Sequence, residues 1–312
     1  MPREHQHRLF HPDHKYVPKN PSILRLVHNY ERSYKEIFDK AKQDWNLRIR
    51  EFMRDETGLK LASRKGLKDS LHNTSVEVSI KSDSDDEFMR LIDEKFPDLD
   101  FDEFSQLKVF QDVSIKTKVY LSHGQNEISI RRLLNHCGEY FEKYSLDDII
   151  NKLFAIEAQS KDIWGSYTYK GSKVEVYYLP IIIFCKLTNI SIEHAIAEVM
   201  AHELAHAYHH VGKDKDGVQW LSMPGTDINI VEGLAQYYTL KFVEEFAGHY
   251  PLLKEAYKKM VSYQGGPYRI HEVWAKKYKN EHIRFVMISA RKKSIKDYAS
   301  FIDLLKKVGN TF

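Results

Sequence analysis

The chain has 312 residues, enough for one large or two ordinary domains. Its 47 basic and 44 acidic side chains leave a net charge of only +3, which gives no global attraction to nucleic acid. Hydrophobic residues make up 42% and support a sizeable core, while the only cysteines, Cys137 and Cys185, lie far apart in apolar segments; that excludes a disulfide framework and predicts reduced, buried thiols.

Residues 1–21 are polar, with His5, His7, His11 and His14 and prolines at 2, 12, 18 and 21. This composition predicts a flexible terminus. It has no apolar signal core, and the longest apolar run, around Tyr177 to Cys185, is too short to span a bilayer. The expectation is a soluble, cytoplasmic chain without a membrane partner.

From Ser22 to about Asp55 the pattern predicts a long amphipathic helix. Ile23, Leu26, Tyr30, Ile37, Ala41, Trp45 and Phe52 trace its stripe, and Gly58 follows its end. Residues 56–86 read as a loop with a short strand at Ser75–Ile80. Further helices are predicted from Glu87 to Phe96, Ile128 to Tyr144 and Leu146 to Gln159, with Ser145 as N-cap of the last. The dense acidic run from Asp83 to Glu103 and the basic C-terminal region read as solvated faces or as surfaces that attract each other.

The pattern then changes. Trp164 to Leu179 reads as a hairpin turning near Lys170-Gly171. Helices are expected again over Pro251–Tyr263, Arg269–Tyr278, His282–Lys292 and Ser294–Val308, the last opened by a capping box of Ser294 and Asp297. The expected fold is α+β and predominantly helical, with a small sheet or hairpin beside one central helix. Its organisation is a polar terminus at 1–21, a mainly helical region at 22–160 and a second domain at 161–312.

That central helix carries His202-Glu203-Leu204-Ala205-His206, an H-E-x-x-H motif inside an apolar, helix-forming segment. Residues four apart share one helix face, so both imidazoles can bind one metal ion. Glu203 sits one step around, where a base for a metal-bound water belongs. With so many histidines, chance produces this motif in roughly one such chain in twenty, so the downstream sequence matters.

A zinc site needs at least a third protein ligand. Glu232, in Ile230-Val231-Glu232-Gly233-Leu234-Ala235-Gln236-Tyr237-Tyr238, is the best candidate, placed in the first turn of a second helix. Gly233 and Ala235 are small enough to let that helix approach the first closely. A third histidine is a poorer choice. The metzincin spacing H-E-x-x-H-x-x-G-x-x-H fails, because the third residue after His206 is His209 and the sixth is Gly212. His210 shares the face of His202 but lies roughly 12 Å along the axis from it, out of reach of a shared ion. His209 and His210 read as pocket-edge or surface groups.

Over residues 165–245 the two motifs together resemble those of the gluzincins, zinc peptidases with two histidines from H-E-x-x-H and a glutamate from the following helix. The Glu232-Gly233-Leu234-Ala235-Gln236-Tyr237-Tyr238 run is similar to their E-G-x-A-x-Y form. The resemblance implies a zincin-like domain over 161–312, one Zn²⁺ held by His202, His206 and Glu232, and Glu203 as general base for hydrolysis of a peptide or protein substrate. It also implies that Val174–Leu179, the strand before the helix, is a sheet edge on which substrate lies. Two departures stand out: the connector between His206 and Glu232 is longer than usual, and Gln236 replaces an aspartate that in some members orients a histidine.

An oxyanion donor should come from Tyr263, Tyr268, Arg269 or His271, in a glycine-containing segment able to fold back over the site. Because many gluzincins use a later tyrosine or histidine, Tyr268 and His271 are the two chosen. The competing reading is a catalytically idle zinc-binding protein whose helical N-terminal half binds a protein partner; an intact Glu203 speaks against it.

Overall fold

A computed structural model describes residues 16–63, 74–81, 86–117, 126–154 and 163–310. Of the expected flexible terminus 1–21, residues 1–15 lie outside these, as do most of the loop at 64–85 and the stretch 155–162. The last residues of that terminus are not a loose tail: Asn20 is buried and donates to the carbonyls of Phe96 and Leu99, and Pro21 opens the first helix. The fold is α+β and predominantly helical, with one three-stranded sheet among the described residues.

The N-terminal helix is two helices joined by a π turn. Helix α1 (Pro21–Asn29) starts at Asn20, whose side-chain oxygen accepts from the amides of Ser22 and Ile23, with Pro21 at the first helical position. A π segment follows over Tyr30–Tyr34, and α2 (Lys35–Thr57) then runs to Gly58, which closes it at φ 70°. The π turn adds a residue to the helical repeat. The apolar stripe therefore shifts by one: Phe38 is fully buried, and Ile37, expected in the stripe, is exposed. From there Ala41, Trp45, Ile49 and Met53 continue the buried face at helical spacing.

Strand β1 (Glu77–Lys81) precedes α3 (Asp86–Lys95), α4 (Phe101–Thr117), α5 (Asn126–Lys143) and α6 (Leu146–Phe154). Helix α4 was not anticipated, since its first turn sits inside the acidic run. Asp100 caps it by accepting from the amides of Asp102 and Glu103. Asp100 also pairs with Arg25, and Asp102 with Lys186. The basic C-terminal region finds other partners, as in Lys292 with Asp216.

The hairpin forms as expected, with β2 (Gly165–Thr168) antiparallel to β3 (Lys173–Tyr177). The strand order β1-β3-β2 places β3 in the middle, with β1 parallel on its far side. The expectation that Val174–Leu179 is a substrate-facing edge is therefore corrected. Both sides of β3 are paired, and the edge near the H-E-x-x-H helix is β2. The predicted strand also ends early. Tyr178 opens α7 (Tyr178–Thr188), buried on all sides, with Pro180 in its first turn. An all-apolar helix has no periodicity by which to be recognised.

Helix α8 (Ile192–Val211) carries the motif and is buried from His194 to His210. It is covered by α2 on one side and by β2 and β3 on another. Tyr208 Oη donates to the carbonyl of Arg50, and Trp45 Nε1 to Glu193, tying α2 to α8 at both ends. Helices α9 (Ile228–Phe246) and α10 (Pro251–Ser262) pack on its remaining face. A 3-10 turn (Gly266–Arg269), α11 (His271–Lys277), α12 (Asn280–Lys293) and α13 (Tyr298–Gly309) complete the chain. Asp297 caps α13, but Ser294 instead ends α12 in a left-handed conformation, so the expected capping box does not form. Arg291 reaches from α12 to the carbonyls of Gly212 and Val218, pinning the loop that leaves α8. One continuous set of buried apolar side chains runs from Ile23 to Val308. No described helix is long and apolar enough to cross a membrane.

Candidate metal centre

His202 and His206 project from the same face of α8, and Glu232 meets them from α9. Glu232 Oε2 lies 3.1 Å from His202 Nε2 and 3.4 Å from His206 Nε2, and the two Nε2 atoms are 3.1 Å apart. Among the described residues this is the one group of three or more such side chains placed to hold a metal ion, and all three are buried. The spacing fits. A tetrahedral ion with bonds of about 2.0–2.1 Å sets its donor atoms roughly 3.3–3.4 Å apart. Two imidazoles and a carboxylate also form a nitrogen and oxygen donor set suited to zinc.

Electrostatics agree with this grouping. Burial pushes the Glu232 carboxyl upward, but His206 and His202 outweigh it and hold the group well below the usual carboxylate range. Glu232 stays anionic between the two rings. It sits in the second turn of α9, not the expected first, because Asp227 caps the helix earlier by accepting from the amide of Asn229. Gly233 serves a different contact from the one expected. A Cβ there would meet the Trp274 ring at 2.5 Å and Ile270 at 2.6 Å, so its small size admits α11 and the 3-10 turn.

A cavity opens beside the ligands, lined by Ile163, Trp164, Gly165, Glu198, Val199, His202, Glu203, Gln236, Gln264 and Tyr268. Glu203 therefore reaches the same space as His202. Above it passes β2, where a Cβ on Gly165 would lie 2.7 Å from Val199 Cγ1 and 3.1 Å from Glu203 Cγ. Only glycine lets the strand lie this close. The bond from the Tyr177 amide to the Trp164 carbonyl sets the ladder phase. By alternation, Gly165 and Tyr167 turn their backbone groups away from β3, toward an edge with no strand partner among the described residues.

Of the oxyanion candidates, Tyr268 alone lines this cavity, its ring stacked 5.9 Å from that of His202. His271 is close by but committed elsewhere. Its Nδ1 meets the Tyr268 carbonyl at 2.8 Å and its Nε2 meets Tyr257 Oη at 2.7 Å. Arg269 pairs with Glu272 on the surface, and Tyr263 packs against Phe184.

Gln236 does not reach a histidine. Its Nε2 donates to Gln264 Oε1 at 2.9 Å. His209 and His210 are buried, not at the surface. His209 packs on Tyr238, and burial holds its ring well below its ordinary value. His210 Nδ1 lies 2.9 Å from Tyr167 Oη, which latches β2 to the end of α8. Sequence reasoning missed Glu198, one helical turn before His202, and the only available signal was that four-residue spacing. Both cysteines are free and buried, as expected.

The chain matches no family model, and no curated protein or solved structure is significantly similar to it.

Proposed function

We propose that the chain is a zinc-dependent peptidase of gluzincin type, with α8, α9 and the adjoining sheet as a zincin-like catalytic unit. The observation that carries this reading is the convergence of His202, His206 and Glu232 on one point, with Glu203 lining the cavity at that point. A zinc ion held there supplies Lewis-acid activation of water and of the scissile carbonyl.

The chain's own groups account for the rest. Glu203 accepts a proton from the attacking water as its oxygen bonds to the peptide carbon. The same carboxyl then gives that proton to the amide nitrogen as the carbon–nitrogen bond breaks. Tyr268, whose ring stacks beside that of His202, is our candidate to donate to the carbonyl oxygen as it gains charge. An extended peptide can add to the open edge of β2 through the backbone groups of Gly165 and Tyr167, which places it over Glu203.

The test is bound zinc and peptide cleavage in wild type and Glu203→Gln. About one zinc per chain is expected in both proteins, with cleavage slowed roughly 10²–10⁴-fold in the variant. Equal rates end the hydrolytic reading. Zinc without cleavage in either protein favours an idle metal site serving a binding function.

A further inference from the structure

The cavity beside the metal ligands contains more acceptor capacity than the proposed hydrolysis uses. Glu198 is 2% exposed, and its Oε1 is buried without a hydrogen-bond partner among the described residues. Gln236 is 1% exposed, and its Oε1 is in the same condition. Gln236 Nε2 donates to Gln264 Oε1, and Oε1 is the Gln236 atom left without a partner.

Glu198 lies one turn before His202 on α8, and Gln236 one turn after Glu232 on α9. Both side chains line the cavity beside the point where His202 meets Glu232. Each helix that supplies the metal ligands thus supplies one unpartnered acceptor.

We infer that this cavity is a subsite for a compact ammonium group of the substrate, received by Glu198 and Gln236. An unpaired buried carboxyl and an unpaired buried amide oxygen each cost stability, and a cationic donor offsets both. Burial pushes the Glu198 carboxyl up to about 8, as expected of a group lacking a counter-charge. The walls contributed by Ile163, Trp164 and Val199 suit an alkyl stem. The space is about 20 Å³, enough for a group the size of one water molecule. The group can come from a lysine side chain or from a free amino terminus, and both present the same chemistry.

This inference takes its substrate from the peptidase reading, but the subsite can be tested without turnover. Calorimetric titration with n-propylammonium chloride, and with 1-propanol as the neutral control, is made on wild type, Glu198→Gln and Gln236→Leu. Each protein is measured zinc-loaded and after chelation. The ammonium should bind wild type in both metal states, and about tenfold more weakly in Glu198→Gln. Gln236→Leu should weaken it too, and propanol should not distinguish the proteins. Equal ammonium affinity in wild type and Glu198→Gln, or binding that vanishes with the metal, overturns the subsite and leaves a site for structural water.

Peptides with lysine or norleucine beside the scissile bond, and with free or acetylated amino termini, then identify the source. The preference lost in Glu198→Gln names it, and loss of neither overturns the assignment to substrate. If no peptide is cleaved while the ammonium still binds through Glu198, hydrolysis fails and the subsite stands.

Discussion

His271 Nδ1 lies 2.8 Å from the backbone carbonyl oxygen of Tyr268, so the histidine holds the tyrosine's backbone while the tyrosine ring stacks beside His202. The two residues chosen from the sequence as alternatives for one task stand in series. Tyr268 faces the cavity and His271 positions it.

That order has a kinetic signature. Tyr268→Phe keeps the stack on His202 and removes the hydroxyl. It should lower kcat by roughly 10²–10³-fold with KM little changed, if the hydroxyl donates in the transition state. His271→Gln should cost less and affect KM as well, because it loosens the Tyr268 backbone and removes no donor. Steady-state kinetics of both variants separate the roles; a larger kcat loss in His271→Gln reverses them.

His271 also predicts a pH dependence of stability. Burial is the main cause that lowers its ring to about 4, from an ordinary 6.5. Between those values the unfolded chain binds a proton that the folded chain does not. The contribution of His271 is therefore complete above 6.5 and is lost as pH falls toward 4. The shift corresponds to about 3 kcal/mol. Urea unfolding of wild type and His271→Gln at pH 7, 5.5 and 4 should show wild type losing about that much more. Parallel pH profiles contradict the assignment.

Glu232 is the proposed ligand that joins the two helices. Loss of a group that merely orients a ligand weakens metal binding by about 10–100-fold. Glu232→Ala, which removes a ligand, should exceed about 100-fold. Competition with a chelator measures it. Zinc affinity unchanged in this variant would place the third ligand elsewhere.

Gly165 sets the height of β2 over α8. In Gly165→Ala the new methyl meets Val199 Cγ1 at 2.7 Å and the Glu175 carbonyl at 3.0 Å, so the strand must move. A cost of about 1–3 kcal/mol is expected, typical of overpacking. Zinc content should hold while peptide cleavage falls, because the ligands lie on α8 and α9 and the edge lies on β2. Loss of zinc would show that β2 supports the ligands themselves.

The most legible features of the sequence lie within single elements. His202, Glu203 and His206 occupy one helical stretch, where four-residue spacing alone determines which side chains share a face. The hairpin was readable for the same reason, since its turn residues and alternation are local. Glu232 came from a second local motif whose resemblance named its task, and one of the two rings it meets, that of His202, lies thirty residues away.

What only the tertiary structure decided were relations between elements. The π turn at Tyr30–Tyr34 moved the buried stripe from Ile37 to Phe38. Pairing with β1 took the edge position from β3 and left it to β2. Gln236 met Gln264 instead of a histidine, and Glu198 and Gln236 came to line one cavity. Helix and strand periods set which way a side chain points from its own backbone. They carry no information about what another segment brings to meet it, and in this protein that meeting turned a metal-ligand pattern into a site with walls, a roof and two unpartnered acceptors.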